Sequence, residues 1–191
     1  MSKGRMEAFS DGVIAILITI MVLDLKAPLG SGWTALRPLG PALASYVLSY
    51  IYLGIYWNNH HHLLHAVGRV SGAILWANLH LLFWLSLVPI TTAWMGVNGF
   101  ASLPTALYGA VLLLAAVAYR ILVAAILRLE GPSSRLALAV GRDFKGKISI
   151  VLYAAAIPVA FVRSWVANAT YATVAAIWLV PDRRIESRLR D

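Results

Sequence analysis

The stretch that most restricts what this chain can fold into is its start. Arg5-Met6-Glu7-Ala8-Phe9-Ser10-Asp11 runs straight into Gly12-Val13-Ile14-Ala15-Ile16-Leu17-Ile18-Thr19-Ile20-Met21-Val22-Leu23, a run in which Thr19 is the only polar side chain. A helix begun at Asp11 and ended at Leu25 would be about 22 Å long, short of a hydrocarbon core of about 30 Å. A spanning helix must therefore start near Arg5, which puts Ser10 and Asp11 inside it rather than at its cap. An aspartate there costs up to about 3 kcal/mol at mid-depth and less near the interface, so it calls for a partner or a water-filled space. The competing reading is a first-turn acid favoured by the helix dipole.

Composition agrees with the membrane. The chain has 191 residues, 60% hydrophobic and 13% charged, where a soluble domain carries about 25% charged residues. The expected fold class is an all-α integral membrane protein. Cysteine is absent, which excludes disulfides, thiolate metal sites and thiol catalysis. A net charge of +8 could point to nucleic acid, but the basic residues fall in short loops between apolar segments, where membrane topology accounts for them. The start also resembles a signal peptide, yet no small-residue cleavage site follows it, so it is expected to stay in the mature chain.

Six apolar segments are expected: about 5–25, 35–57, 72–94, 103–127, 148–162 and 165–180, with a kink at Pro89 and a tight turn at Arg163 and Ser164. They form one domain over 1–191. With both termini cytoplasmic, Lys3, Arg5, Arg69, Arg128, Arg135, Arg142, Lys145, Lys147, Arg183, Arg184, Arg188 and Arg190 lie inside. Only Lys26, Arg37 and Arg163 face out, a strong positive-inside bias. No internal repeat is visible, so each chain supplies one copy of the first helix. One helix cannot enclose a pore; symmetric copies of it could.

On a helical wheel Gly12, Ile16, Thr19, Ile20 and Leu23 make one continuous stripe. Around an axis it would give apolar rings and one ring of threonine hydroxyls. The same residues suit lipid contact or packing, because an all-apolar helix has a stripe in every direction. Asp11, if buried, would want a cation or donors. Arg5 can reach the same region, and His60, His61, His62, His65, Asn78 and His80 lie at matching depth. His61 and His65 stand at i and i+4, a workable two-ligand spacing for a metal. No third ligand accompanies them, which favours an interfacial hydrogen-bonding cluster. No metal or cofactor is expected. Hydrolase, P-loop and dinucleotide motifs are missing, and no enzymatic activity is expected.

Arg5-x-x-x-Phe9-Ser10-Asp11, opening an apolar helix, resembles the signature of the transmembrane protein 175 family of lysosomal and bacterial potassium channels. Tyr56-Trp57-x-Asn59-His60-His61, Asn78-Leu79 and Pro89-x-Thr91 are similar to that family's second and third helices. The resemblance implies a homotetramer in a bacterial cell membrane whose first helices line a central pore permeable to potassium ions, without the usual filter loop. It matches the narrowest pore residue to Ile16, further apolar rings to Ile20 and Leu23, and a hydroxyl to Thr19. Arg5, Phe9, Ser10 and Asp11 would be architectural, with His60, His61, His62 and Asn78 as their partners. The alternatives are a proton-coupled secondary transporter using Asp11 and the histidine cluster, and a non-conducting structural membrane protein.

Overall fold

The computed structural model describes residues 2–65, 67–131, 134, 137 and 143–179. Of the charges that set the expected orientation, Arg135, Arg142, Arg183, Arg184, Arg188 and Arg190 lie outside the described residues, as does Val180 at the end of the sixth segment. The described residues form helices and no strands.

Helix α1 (Lys3–Leu23) has 21 residues, about 31 Å at 1.5 Å per residue, enough to cross the hydrocarbon. It contains no proline, so its backbone ladder is unbroken, and Ser10 and Asp11 fall inside it. Pro28, Gly30 and Gly32 prevent its continuation. Gly30 has φ of 102°, a backbone conformation open to glycine at little cost.

A 3-10 segment, Trp33–Leu39, then leads into α2 (Gly40–His65). The second apolar segment was expected over 35–57. It starts later and runs on through His65, so the polar cluster Asn58 to His62 is helical and does not end the span. The third segment also differs from one kinked helix: it divides at Leu87 into α3 (Gly72–Ser86) and α4 (Val88–Val97). Pro89, lacking an N–H, takes a place in the first turn of α4, where that donor would be unsatisfied in any case.

A reversal at Gly99 and Phe100, both at positive φ, opens α5 (Ser102–Glu130). Asp143 caps α6 (Phe144–Val162), its Oδ1 accepting from the Gly146 N–H at 3.2 Å. Arg163 alone separates α6 from α7 (Ser164–Leu179). Five spans have the length and composition to cross a membrane: Lys3–Leu23, Trp33–His65, Gly72–Val97, Ser102–Glu130 and Phe144–Val162. The sixth, α7, has 16 described residues.

Helix α1 rests on α2, α3 and α4, while α5, α6 and α7 pack together behind them. Tyr52, Tyr108, Tyr153 and Tyr171 join α2, α5, α6 and α7 at the centre with ring centroids 5.8 to 6.5 Å apart. Their hydroxyls do not go unpaired. Tyr153 donates to the Tyr52 hydroxyl at 3.1 Å, and Tyr52 donates to the Tyr171 carbonyl. With no water in the membrane to satisfy them, such groups must find partners inside the bundle.

Candidate functional site: the first helix and the polar groups behind it

Met6, Ser10, Ile14, Leu17 and Met21 are the buried face of α1. The other side is bare. Ala8, Gly12, Ala15, Ile16, Thr19, Ile20 and Leu23 are all exposed, with Ile16 at 56% and Leu23 at 79%. The wheel of α1 allowed several stripes. The subunit covers one of them and leaves open the one that holds Gly12, Ile16, Thr19, Ile20 and Leu23. The Thr19 hydroxyl donates to its own helix, at the Ile16 carbonyl, 2.9 Å away, so its lone pairs face outward on that bare surface.

Ser10 sets the rotation of α1. Its hydroxyl donates to the Met6 carbonyl at 2.9 Å and accepts from Asn78 Nδ2 on α3 at 2.9 Å. Asn78 Oδ1 then lies 2.6 Å from His60 Nε2 on α2. Since Oδ1 is an acceptor, His60 Nε2 carries the proton. All three side chains are buried, so one chain of hydrogen bonds ties three helices together at a single depth. Such a chain is directional, and turning α1 by one residue would take the Ser10 acceptor away from the buried Asn78 amide.

Asp11 sits beside this chain but is half-buried. Trp57 Nε1 donates to its Oδ1 at 3.0 Å. The Trp57 ring stacks on His61, with centroids 6.0 Å apart and planes at 24°, and His61 meets His65 edge-on at 4.7 Å. Lys3 Nζ donates to the His65 carbonyl at 3.0 Å and stands 3.9 Å from Glu7. The Lys3–Glu7–Asp11 edge of α1 thus lies along the Trp57–His61–His65 edge of α2.

The structure therefore brings Ser10 together with Asn78 and His60, and Asp11 with Trp57. It does not bring Arg5 to Asp11. Arg5 is exposed on another side of α1 and has no ion pair among the described residues. Phe9 is exposed, His61 touches aromatic rings, and His62 is exposed. No group of three metal-binding side chains occurs among the described residues.

Sequence reasoning passed over a second chain of hydrogen bonds. Tyr108 OH lies 3.0 Å from Ser49 Oγ, which lies 2.6 Å from Thr92 Oγ1, and Thr92 donates to the Val88 carbonyl at 2.6 Å. Because Thr92 gives its proton to Val88, Ser49 donates to Thr92 and Tyr108 to Ser49. The signal was available: Ser45, Ser49, Tyr52, Tyr56 and His60 recur every three or four residues along α2, a polar stripe on one face. Arg120, within the α5 span, pairs with Asp143 at 3.3 Å. That ion pair edges a cavity of about 50 Å³ bounded by Tyr56, Tyr119, Tyr153 and Trp178.

A bundle of membrane-spanning helices locked by buried polar chains is an integral membrane protein, and this one leaves an apolar face of its first helix bare. A family model described as endosomal/lysosomal potassium channel TMEM175 matches residues 5–89. A potassium channel of Chryseobacterium sp. (strain P1-3) is 54% identical over 191 residues, which is 100% of both chains. The human endosomal/lysosomal proton channel TMEM175 is 33% identical over 116 residues, 54% of this chain and 23% of the human one. The crystal structure of a lysosomal potassium-selective channel TMEM175 homologue from Chamaesiphon minutus matches with a TM-score of 0.75 at 26% identity, over 93% of this chain and 96% of that one. The chain belongs to the TMEM175 family of ion channels.

Proposed function

We propose that the protein is a potassium-permeable channel, a homotetramer in a bacterial cell membrane with four copies of α1 around the axis and both termini cytoplasmic. The bare stripe of α1 is the observation that carries this reading. It is continuous, apolar apart from Thr19, and lies opposite the face that Ser10 and Leu17 bury. Turned toward an axis, it presents rings of Ile16, Ile20 and Leu23 with threonine hydroxyls between them.

An apolar ring closes a pore by dewetting, without a charged plug. Potassium sheds water more readily than sodium, so a narrow apolar opening bordered by hydroxyls favours it. Ile16 is taken as the tightest ring. Ser10 and Asp11 hold α1 in register through Asn78 and Trp57; Arg5 and Phe9, exposed on the subunit, share the architectural role at its boundary, and none of the four binds ions.

Two substitutions on one helix test the reading. Ile16→Asn would put four amides at the constriction. It should raise basal conductance and weaken discrimination of potassium from sodium, read as a shift in reversal potential in mixed salts. Ile18 is half-buried against the subunit's own core, so Ile18→Asn should leave selectivity alone and cost stability. Equal effects at both positions, or an effect at Ile18 alone, would remove Ile16 from the pore.

A further inference from the structure

Two groups near the N-terminal end of the bundle have hydrogen-bonding capacity that the subunit does not use. On α1, Asp11 Oδ1 receives the Trp57 indole N–H, while Oδ2 has no hydrogen bond among the described residues. On α3, His80 is exposed and its Nε2 accepts from Trp84 Nε1 at 2.9 Å. A ring nitrogen that accepts carries no proton, so the proton of His80 sits on Nδ1. That N–H has no partner among the described residues. A donor turned toward acyl chains finds nothing to bond, so a face carrying one belongs against protein or water.

The two groups lie at one depth. The Ser10–Asn78 bond sets α1 and α3 in register. Both helices run in the same direction through the bundle, because the single span α2 lies between them. Asp11 is one residue beyond Ser10 and His80 two beyond Asn78, so their axial positions differ by about 1.5 Å. They also belong to different flanks of the subunit. The Asp11 edge of α1 follows α2, whereas His80 stands on the outer side of α3. A ring of identical subunits joins unlike flanks at every boundary, so the α2 flank of one copy meets the α3 flank of the next. A two-fold dimer would bring like flanks together and leave both groups unpaired. Trp76, 74% exposed, and Phe83, 54% exposed, add apolar bulk around His80.

We infer that His80 of each subunit completes the Asp11–Trp57 pair of the adjacent copy, its Nδ1–H donating to the unused carboxylate oxygen. This rests on the tetramer reading above. It makes His80 a positioning residue for assembly, holding the first helices at a common distance from the axis. Each joint then has a polar contact at its centre and aromatic rings around it, and four such joints close the ring.

A double-mutant cycle on the full chain in detergent tests the pairing, with His80→Ala, Asp11→Asn and both together, and tetramer dissociation read by mass photometry. Interhelical hydrogen bonds in membranes predict a coupling of about 3- to 20-fold in the dissociation constant for each joint. The double variant should thus be little worse than either single one. His80→Asn, which keeps an N–H close to the position of Nδ1, should recover most of the loss. Helical content measured by circular dichroism separates an assembly defect from an unfolded subunit.

The chain has no cysteine and Asn58 is exposed on α2 next to Trp57, so a His80→Cys, Asn58→Cys double variant reads the same joint covalently. A short bismaleimide should give a ladder that ends at four subunits. Additive losses, coupling of Asp11 to Arg5 in place of His80, or a missing ladder would each overturn the pairing while the tetramer stands. A wild-type protein that is not a tetramer would take down the assembly reading itself.

Discussion

Asn78 uses both ends of its amide, giving to Ser10 and accepting from His60. Its replacement should therefore be felt on two helices at once. Asn78→Leu keeps the branched outline of the side chain but leaves the His60 N–H buried without an acceptor, and an orphaned buried polar group costs about 1–3 kcal/mol. The expected outcome is a loss of that size in detergent unfolding. Asn59→Leu should cost clearly less, since the Asn59 amide donates only to its own helix, at the Ile55 carbonyl. Equal losses would mean that the Ser10–Asn78–His60 chain contributes no more than any other polar contact. At this scale the sequence named four candidate partners, His60, His61, His62 and Asn78, without ranking them. His60, His61 and His62 are consecutive, so each points about 100° from the last. One of them meets Asn78, one stacks on Trp57, and one is exposed. The Arg5 side chain is long enough to reach Asp11, but it projects from another side of the helix.

At Gly96 and Gly109 a neighbouring helix leaves no room for a side chain. A Cβ added at Gly96 would come within 2.8 Å of the Ala42 Cα on α2 and collide with the Ser45 hydroxyl. The contact on the α2 side is backbone and cannot swing aside. Gly96→Ala should thus force α4 away from α2, at an overpacking cost of about 1–3 kcal/mol, measurable as a lowered midpoint of thermal unfolding. Gly72→Ala, at the start of α3 with nothing within 4 Å of the added atom, should change stability by no more than about 0.5 kcal/mol. At Gly109 the added atom would fall within 2.6 Å of Tyr171 Cζ, so Gly109→Ala should displace the Tyr171 ring and disturb the α5–α7 contact. Most element positions were legible because long apolar runs and prolines act locally. The later start of α2 was not, since Leu36, Pro38 and Leu39 continue the apolar pattern while the chain is still in a 3-10 conformation. Nor was the division at Leu87. A proline marks a lost hydrogen bond, and whether the helix bends or restarts depends on what its neighbours leave room for.

For the whole molecule, the expected outcome is a homotetramer in detergent under conditions that retain ion flux. A monomer or dimer by mass photometry would exclude a pore made of four first helices. In liposomes, a current reversing near the potassium equilibrium potential is expected, whereas saturable proton-coupled flux would favour the transporter alternative. The membrane setting and five of the six expected apolar spans follow from the sequence alone, because run length against the bilayer's thickness and low charge are properties of composition. The first helix's reach back to Arg5 follows in the same way, from a run too short to span by itself. The rotation of that helix does not. Gly12 to Leu23 is apolar on every side, so nothing within α1 distinguishes a pore stripe from a buried one. Tertiary structure decides it: Asn78 on α3 and His60 on α2 capture Ser10, and that contact turns Leu17 inward and leaves Ile16, Thr19, Ile20 and Leu23 bare.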